Sequence, residues 1–265
     1  EQQFAGYEYR PEQVEMLRGV AEAFNTPAHL LVEAGTGIGK SVAYLLPALY
    51  YAVANGRRVI VSSNTINLQE QLYSKDLPDL QRILPITFSA ALLKGRNNYI
   101  CLRRLHALRR TRQLAPEQVR VLAKVLAWLP QTSTGDRSEL VLIDREQDTW
   151  QLVQSDSETC SGDRCPYMQR RECLFYRARS RAERAHLVVI NHALLLSDLA
   201  LENRLLPEYS HVIIDEAHHL EQQATDQFGV EIAQRDLYAY LNNLSHAEGA
   251  VQRTGDRQVE TAGAA

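Results

Sequence analysis

The sequence has no apolar h-region near its start, no cleavage-site pattern and no apolar run long enough to span a bilayer. Those absences argue against export and against a membrane partner, and the expected location is cytoplasmic. They also argue against disulfides, which need an oxidising compartment. Cysteine itself is scarce: Cys101, Cys160, Cys165 and Cys173 are the only four, and no two of them form a CxxC pair. Four thiolates with none to spare is the ligand count of a tetrahedral zinc ion or an iron-sulfur cluster. A structural zinc site usually gathers its ligands as two close pairs. Here three cysteines fall within residues 160 to 173 and the fourth lies 58 intervening residues upstream. From the residues alone an iron-sulfur cluster, a zinc ion and unligated core thiols all stay open. There is no internal repeat and no low-complexity tract, which argues against a solenoid or a disordered chain.

What is present is globular. With 265 residues and 45% hydrophobic content, the chain can bury one substantial core and a smaller second one. It opens at Glu1 and closes on "TGDRQVETAGAA", and the expectation is a piece of a longer protein. The net charge of -3 conceals a partition. Residues 94–120 carry eight Lys or Arg against one Glu, and residues 160–184 carry seven Arg against three acids. Together these 52 residues sum to +11 and the remaining 213 to -14, so positive charge collects around the cysteines. Solvated helix faces are the plain reading of such clusters. A nucleic-acid surface is the functional one.

Along the chain, "AHLLVEAGTGIGKSVAYLLPALYYAVA" reads as a short strand, a glycine-rich loop and a long helix. "RRVIVSS" predicts a second strand, "NLQEQLYSKDLPDLQRIL" a helix with apolar residues at three and four, and "TFSAALL" a third strand. From Lys94 the pattern turns helical: "CLRRLHALRRTRQL", "PEQVRVLAKVLAWL" and "CPYMQRRECLFYRARSRAERA", with "QTSTGDRSE" a loop. Strand signals return in "HLVVIN" and "SHVIID". The expected fold class is α/β, a parallel sheet with helices on both faces, interrupted at 98–185 by a mainly helical insertion with little core of its own.

"AGTGIGKS" between strand and helix is the context that makes a glycine-rich string a phosphate loop. Gly35, Thr36, Gly37 and Gly39 supply the wrapped backbone, Lys40 reaches the outer phosphates of ATP and the Ser41 hydroxyl ligates Mg2+. The strict pattern wants Gly where this chain has Ala34, a residue small enough for that turn. "HVIIDEAH" ends a second strand with the acids such a loop requires. Asp215 is the candidate for holding Mg2+, and Glu216 for orienting and deprotonating the attacking water. A flexible glycine turn and a solvated strand end are the competing plain readings.

These motifs, with "YRPEQ", "SSNTINLQEQL", "KGRNNYIC", "DSETCSGDRCPYMQRREC" and "LVVINHALLLSDL", run in order from about residue 7 to about residue 230. The chain thereby resembles the superfamily 2 DNA helicases of the iron-sulfur branch, the DinG and XPD-like family, on its bacterial DinG side. The resemblance implies a P-loop RecA-like sheet with a mainly helical iron-sulfur insertion: residues 1–97 and 186–230 as the first RecA-like domain, 98–185 as the insertion and 231–265 as the start of a further helical segment. A second RecA-like domain, with its arginine finger, is expected outside this chain. By the same resemblance Arg10 and Gln13 read adenine, Thr65 and Gln69 touch the DNA backbone, Asn191 and His192 serve structure or coupling, and His218 links nucleotide state to DNA grip. Cys101, Cys160, Cys165 and Cys173 match the ligands of a 4Fe-4S cluster, which would staple the insertion. The implied activity is ATP-driven 5′-to-3′ translocation on single-stranded DNA and unwinding of forked duplex DNA in repair or replication. The alternative is a nucleotide-regulated DNA-binding module without motor activity. A zinc ATPase unrelated to nucleic acid fits the +11 partition less well.

Overall fold

The computed structural model describes residues 9–35 and 37–229. The chain divides into two units, residues 1–223 and 224–265. The sheet and both ends of its strands belong to the first; of the second, the described residues are the end of a helix (α11, Leu220–Phe228) and Gly229.

Four short apolar strands form the sheet: β1 (Val59–Ser63), β2 (Ala90–Leu92), β3 (Leu187–Asn191) and β4 (His211–Ile214). They run in the order β2-β3-β1-β4, all parallel, with Val59 opposite both Leu187 and His211. A parallel sheet is covered on both faces, and the side chains show it. Val59 and Val61 pack under Tyr44, Leu45 and Leu49 of α2 (Lys40–Asn55) and Val20 and Phe24 of α1 (Pro11–Asn25). Ile60, Val188 and Ile190 point the other way, toward α9 (Leu174–Arg184) and α10 (His192–Ala200). Because all four strands point one way, Ser63, Asn191 and Asp215 gather at one edge of the sheet, where α2 begins.

Three expectations need correction, two of them around the sheet and the third in the helical block between β2 and β3. The run "HLLVEA" before the glycine loop forms no strand: residues 28–35 join no ladder, and Leu31 is 91% exposed. An apolar run becomes a strand only where a partner supplies hydrogen bonds and a face to bury, and here Leu30, Leu31 and Val32 have neither. The helix expected from Asn67 onward is broken in the middle. Regular α3 (Ile66–Gln71) passes into one π turn (Leu72–Asp76) before α4 (Leu77–Ile83). Pro78 explains the turn, since it offers no N–H to continue the i→i−4 pattern, and Leu77 N–H bonds back five residues to the Leu72 carbonyl instead.

Between β2 and β3 lie α5 (Leu102–Arg109), α6 (Pro116–Trp128), α7 (Asp144–Val153), α8 (Pro166–Gln169) and α9. This block does have a core of its own: Ile100, Leu105, Leu108, Val121, Val125, Trp150, Val153 and Leu174 are buried together. Gly135 permits its closure. The residue sits at φ 73°, and a Cβ there would come within 2.4 Å of Leu174. Among the described residues no helix is long and apolar enough to cross a membrane.

Candidate functional site

The glycine loop ends in Gly37 and Gly39, at φ 82° and 83°, left-handed values that favour residues without a Cβ. A Cβ on Gly39 would also meet the Gln13 amide at 2.1 Å. Gly39 caps α2 without any side-chain hydrogen bond, so the first N–H groups of a 16-residue helix point outward unspent, the arrangement that receives phosphate. Thr36 lies outside the described residues; Gly35 is described and has open space where a Cβ would stand. Arg10 and Gln13 both reach this loop. The Arg10 guanidinium donates to the Gly37 carbonyl, and Gln13 Nε2 donates to the Gly39 carbonyl at 3.0 Å, so each braces the loop's backbone.

Strand β4 delivers the acids to the same place. Lys40 Nζ lies 2.8 Å from Glu216 Oε1, a pair formed across 176 residues. The bond from Lys40 holds the Glu216 carboxyl below its ordinary value, against a smaller upward push from burial. Glu216 itself adopts φ 56°, a left-handed conformation uncommon for a residue with a Cβ. Burial raises the Asp215 carboxyl above the usual aspartate range, and the negative charge of Glu216 adds to it. Opposing these is Tyr44, whose hydroxyl donates to Asp215 Oδ2 at 3.1 Å. Tyr44 stands one helical turn beyond Lys40, and burial, with the charge of Asp215 adding to it, raises its hydroxyl well above the ordinary tyrosine value while Ser41 works the other way. Asp76, at the end of the π turn, interacts with Ser41 as well. Sequence reasoning missed Tyr44 and Asp76, although the i,i+4 spacing from Lys40 was a usable signal for Tyr44.

Other singled-out residues lie around this edge. Asn191 caps α10 by accepting from the Leu194 N–H at 3.1 Å. His192 is fully buried, with Nδ1 2.7 Å from Ser62 Oγ and its Nε2 without a hydrogen-bond partner. Burial lowers its pKa, while the backbone of Asp215 and Glu216 works the other way. His218 Nδ1 is 3.5 Å from Glu216 Oε2, and its ring lies 4.0 Å from that of His219. Thr65 is exposed and caps α3 by accepting from Leu68 N–H. Gln69 is wholly buried and donates to the Leu93 carbonyl at 3.3 Å, so in this structure it is a brace behind the surface and offers no donor on it.

The four cysteines, distant in sequence, line a single cavity together with Met168 and Tyr176. Cys101 is fixed by its N–H to the Val153 carbonyl at 2.8 Å. Arg103, two residues on, donates to the Thr159 carbonyl beside Cys160. Burial pushes the Cys173 thiol up, and the neighbouring Cys101 and Cys160 sulfurs push it the same way. Arg96 stacks over the Phe175 ring at 4.3 Å. Burial works against its charge, yet contacts with Tyr176 and Cys160 leave its pKa raised. Among the described residues no three His, Cys, Asp or Glu side chains are gathered tightly enough for one metal ion.

Two features of the arginine-rich block were not legible as charge. Arg104 donates to the Gln151 and Leu152 carbonyls at 2.8 and 3.1 Å, so Arg103 and Arg104 are internal braces. Arg109 and Arg110 are exposed. The second is Lys94, only 3% exposed, whose Nζ meets Asp136 at 2.6 Å, Glu70 at 2.7 Å and Ser138 at 3.0 Å. This joins α3 to the loop that opens the helical block.

The family model described as "Type III restriction enzyme, res subunit" matches residues 6–245. The chain is 38% identical to the ATP-dependent DNA helicase YoaA of Haemophilus influenzae over 92% of its length and 38% of that protein's. It is 37% identical to the 3'-5' exonuclease DinG of Bacillus subtilis, over 90% of this chain and 25% of that one. With the ATP-dependent helicase DinG of Mycobacterium tuberculosis it shares 39% identity, over 86% of this chain and 37% of that one. It therefore spans well under half the length of these curated relatives. Among solved structures an XPD helicase aligns with 17% identity and a TM-score of 0.45, over 82% of this chain and 34% of that one.

Proposed function

Because the chain belongs to the type III restriction enzyme res subunit family and its relatives include helicases of the DinG and YoaA type, we propose that it is the nucleotide-binding portion of an ATP-dependent DNA helicase acting in repair. The observation that carries the proposal is the meeting of Lys40 with Glu216 at 2.8 Å, with Tyr44 holding Asp215 beside them. In the proposed reaction the loop's N–H groups and Lys40 bind the ATP phosphates, Ser41 and Asp215 hold Mg2+, and Glu216 orients and deprotonates the attacking water. When bound, Mg2+ neutralises charge on the phosphates. Arg10 and Gln13, which brace the loop's carbonyls, are the proposed readers of the adenine. Thr65 is the proposed backbone-phosphate donor of the single strand and Gln69 its support. Translocation 5′-to-3′ and a preference for forked duplex belong to the same proposal.

The 4Fe-4S cluster belongs to the same proposal: Cys101, Cys160, Cys165 and Cys173 line one cavity, and four thiols with none to spare are the ligands that would hold it. When bound, the cluster supplies a rigid junction between segments far apart in sequence. Anaerobically purified protein should be brown, with iron and acid-labile sulfide at about four each per chain. One zinc per chain and no sulfide would replace the cluster with a mononuclear site. Since the helical block has a core of its own, loss of the cluster from a Cys165→Ser variant should loosen the 155–173 loop first, read as new protease cleavage there.

Binding to single-stranded DNA should weaken steeply with salt and depend little on base sequence, because arginines that neutralise phosphates release counterions. Neutralising Arg109 and Arg110 together should lower the magnitude of the salt slope by roughly 1.4, about 0.7 for each phosphate left without its arginine. The same change at Arg103 and Arg104 should loosen the fold instead, since their donors serve backbone carbonyls. An unaltered slope in the Arg109/Arg110 variant assigns those residues to a solvated face.

A further inference from the structure

The edge of the sheet opposite the glycine loop carries a separate feature. The turns that lead into β1, β3 and β4 border an open cleft of about 320 Å³ lined by Arg57, Arg58, Arg184, His186, Glu208 and Tyr209, among others. The volume falls within the range of small-ligand pockets. A five-residue strand is roughly 16 Å long, so this cleft is remote from Lys40 and Asp215.

The chemistry of its lining is that of an anion site. Arg58 builds the wall: its guanidinium donates to the backbone carbonyls of Ala185, Glu183 and Glu208, and its own carbonyl accepts from the Ser210 N–H at 2.9 Å. Its charge stays in place while its donors are used internally. Arg57 and Arg184 are different. Both are exposed, and among the described residues neither has a carboxylate partner. His186 accepts the Ser89 N–H on Nδ1 at 3.0 Å, which puts the ring proton on Nε2 as a further donor. Of the nearby acids, Glu183 pairs with Arg179 at 3.4 Å, so Glu208 is the one lining carboxylate set against three guanidiniums. The carbonyl ends of α2 and α9 also reach this edge and oppose an anion, but their last turns are closed by the Gly56 N–H to Ala52 and the Ala185 N–H to Ala182 bonds.

We infer that this cleft is a phosphate-binding site, in which Arg57 and Arg184 grip a phosphate group and His186 donates a further hydrogen bond. Forked guanidiniums match the oxygens of a phosphate better than a lone ammonium does, and the space admits the ester group attached to it. The phosphate has two sources, a free polyphosphate or the backbone of a nucleic-acid strand, and neither requires any particular role for the glycine loop.

The test uses the whole chain with Lys40→Ala, so that nucleotide binding at the glycine loop is impaired in every arm. Pyrophosphate and, separately, a single-stranded thymidine 20-mer are titrated at low salt into this protein and into the same protein with Arg57→Gln and Arg184→Gln. Affinity for at least one probe should fall about tenfold or more. Loss for pyrophosphate alone identifies a free anion as the occupant, and loss for the oligonucleotide, with or without pyrophosphate, identifies a strand. Unchanged affinity for both probes overturns the inference. So does an equal loss when the exposed pair Arg82 and Arg120 is changed to Gln in their place, because bulk charge would then account for the effect.

Discussion

In a protein that carries this chain together with a second RecA-like domain, Glu216→Gln should cut ATP turnover by about 10² to 10⁴. The same change should leave nucleotide binding intact or tighten it. The opposite signs follow from the Lys40–Glu216 contact. Without nucleotide, Glu216 occupies the ammonium that the phosphates need, and it adds negative charge where they must sit. A partly exposed pair of this kind is worth about 1 kcal/mol or less, so affinity should rise by up to about fivefold. Lys40→Ala removes the attractive partner, and both binding and turnover should fall. Measuring nucleotide affinity and hydrolysis separately for both variants decides the matter. If Glu216→Gln weakens binding in parallel with Lys40→Ala, then Glu216 maintains the loop's shape and does not compete with phosphate.

Lys94→Met should be the most damaging single change away from the nucleotide. It strands the Asp136 carboxylate, which is nearly buried, without its counter-ion. Breaking one side of a buried pair costs about 3 to 5 kcal/mol, enough to lower the melting temperature by roughly 10 °C in a chain of this size. The Glu70 end is more exposed and can turn to water. Adding Asp136→Asn to Lys94→Met should restore more than half of the loss, since the penalty comes from the unpaired charge. Equal instability of the single and double variants would mean that packing of the lysine stem sets the cost. Acid should mimic the lesion in part. Burial alone would raise the Glu70 carboxyl, but Lys94 and Ser138 hold it below its ordinary value. Its contribution is therefore complete above the ordinary glutamate range and is lost as pH falls through that lowered value.

What could be read from the chain beforehand was whatever chemistry confines to a few adjacent residues. A phosphate loop needs glycines, a lysine and a hydroxyl at fixed spacing, and the DEAH acids must follow an apolar strand, so Lys40, Ser41, Asp215 and Glu216 were legible without coordinates. Strands β1, β3 and β4 announced themselves as apolar runs between turns. The segment at 29–34 has the same look and forms no ladder, because composition does not reveal whether a partner strand is at hand. Helix α7 was missed: "DREQDTWQLV" shows too few apolar residues to mark a face, and its anchors Trp150 and Val153 bury against residues far away in sequence. Long-range polar contacts were equally hidden. Glu70, Lys94 and Asp136 look like three surface charges until folding brings them together, and Gln69 looks like an exposed amide until Leu93 closes over it. Counting arginines located a basic region without separating Arg103 and Arg104, which serve carbonyls, from Arg109 and Arg110, which face water.

The π turn at Leu72–Asp76 can be viewed as a one-residue insertion into an otherwise ordinary helix. Leu68, Leu72, Leu77 and Leu80 are spaced four, five and three apart, and a plain α-helix advancing about 100° per residue would swing Leu77 well off the face that Leu72 occupies. The bond closing over five residues brings both leucines back into one core. A deletion of any one residue from 73 to 76 would then be in phase with the helix, and Leu72 and Leu77 would stay buried while Asp76 or its neighbours were lost from the rim above Ser41. Length variation at this point is thus a route by which a coding sequence could gain or lose an acid beside the nucleotide without disturbing the apolar layer beneath it.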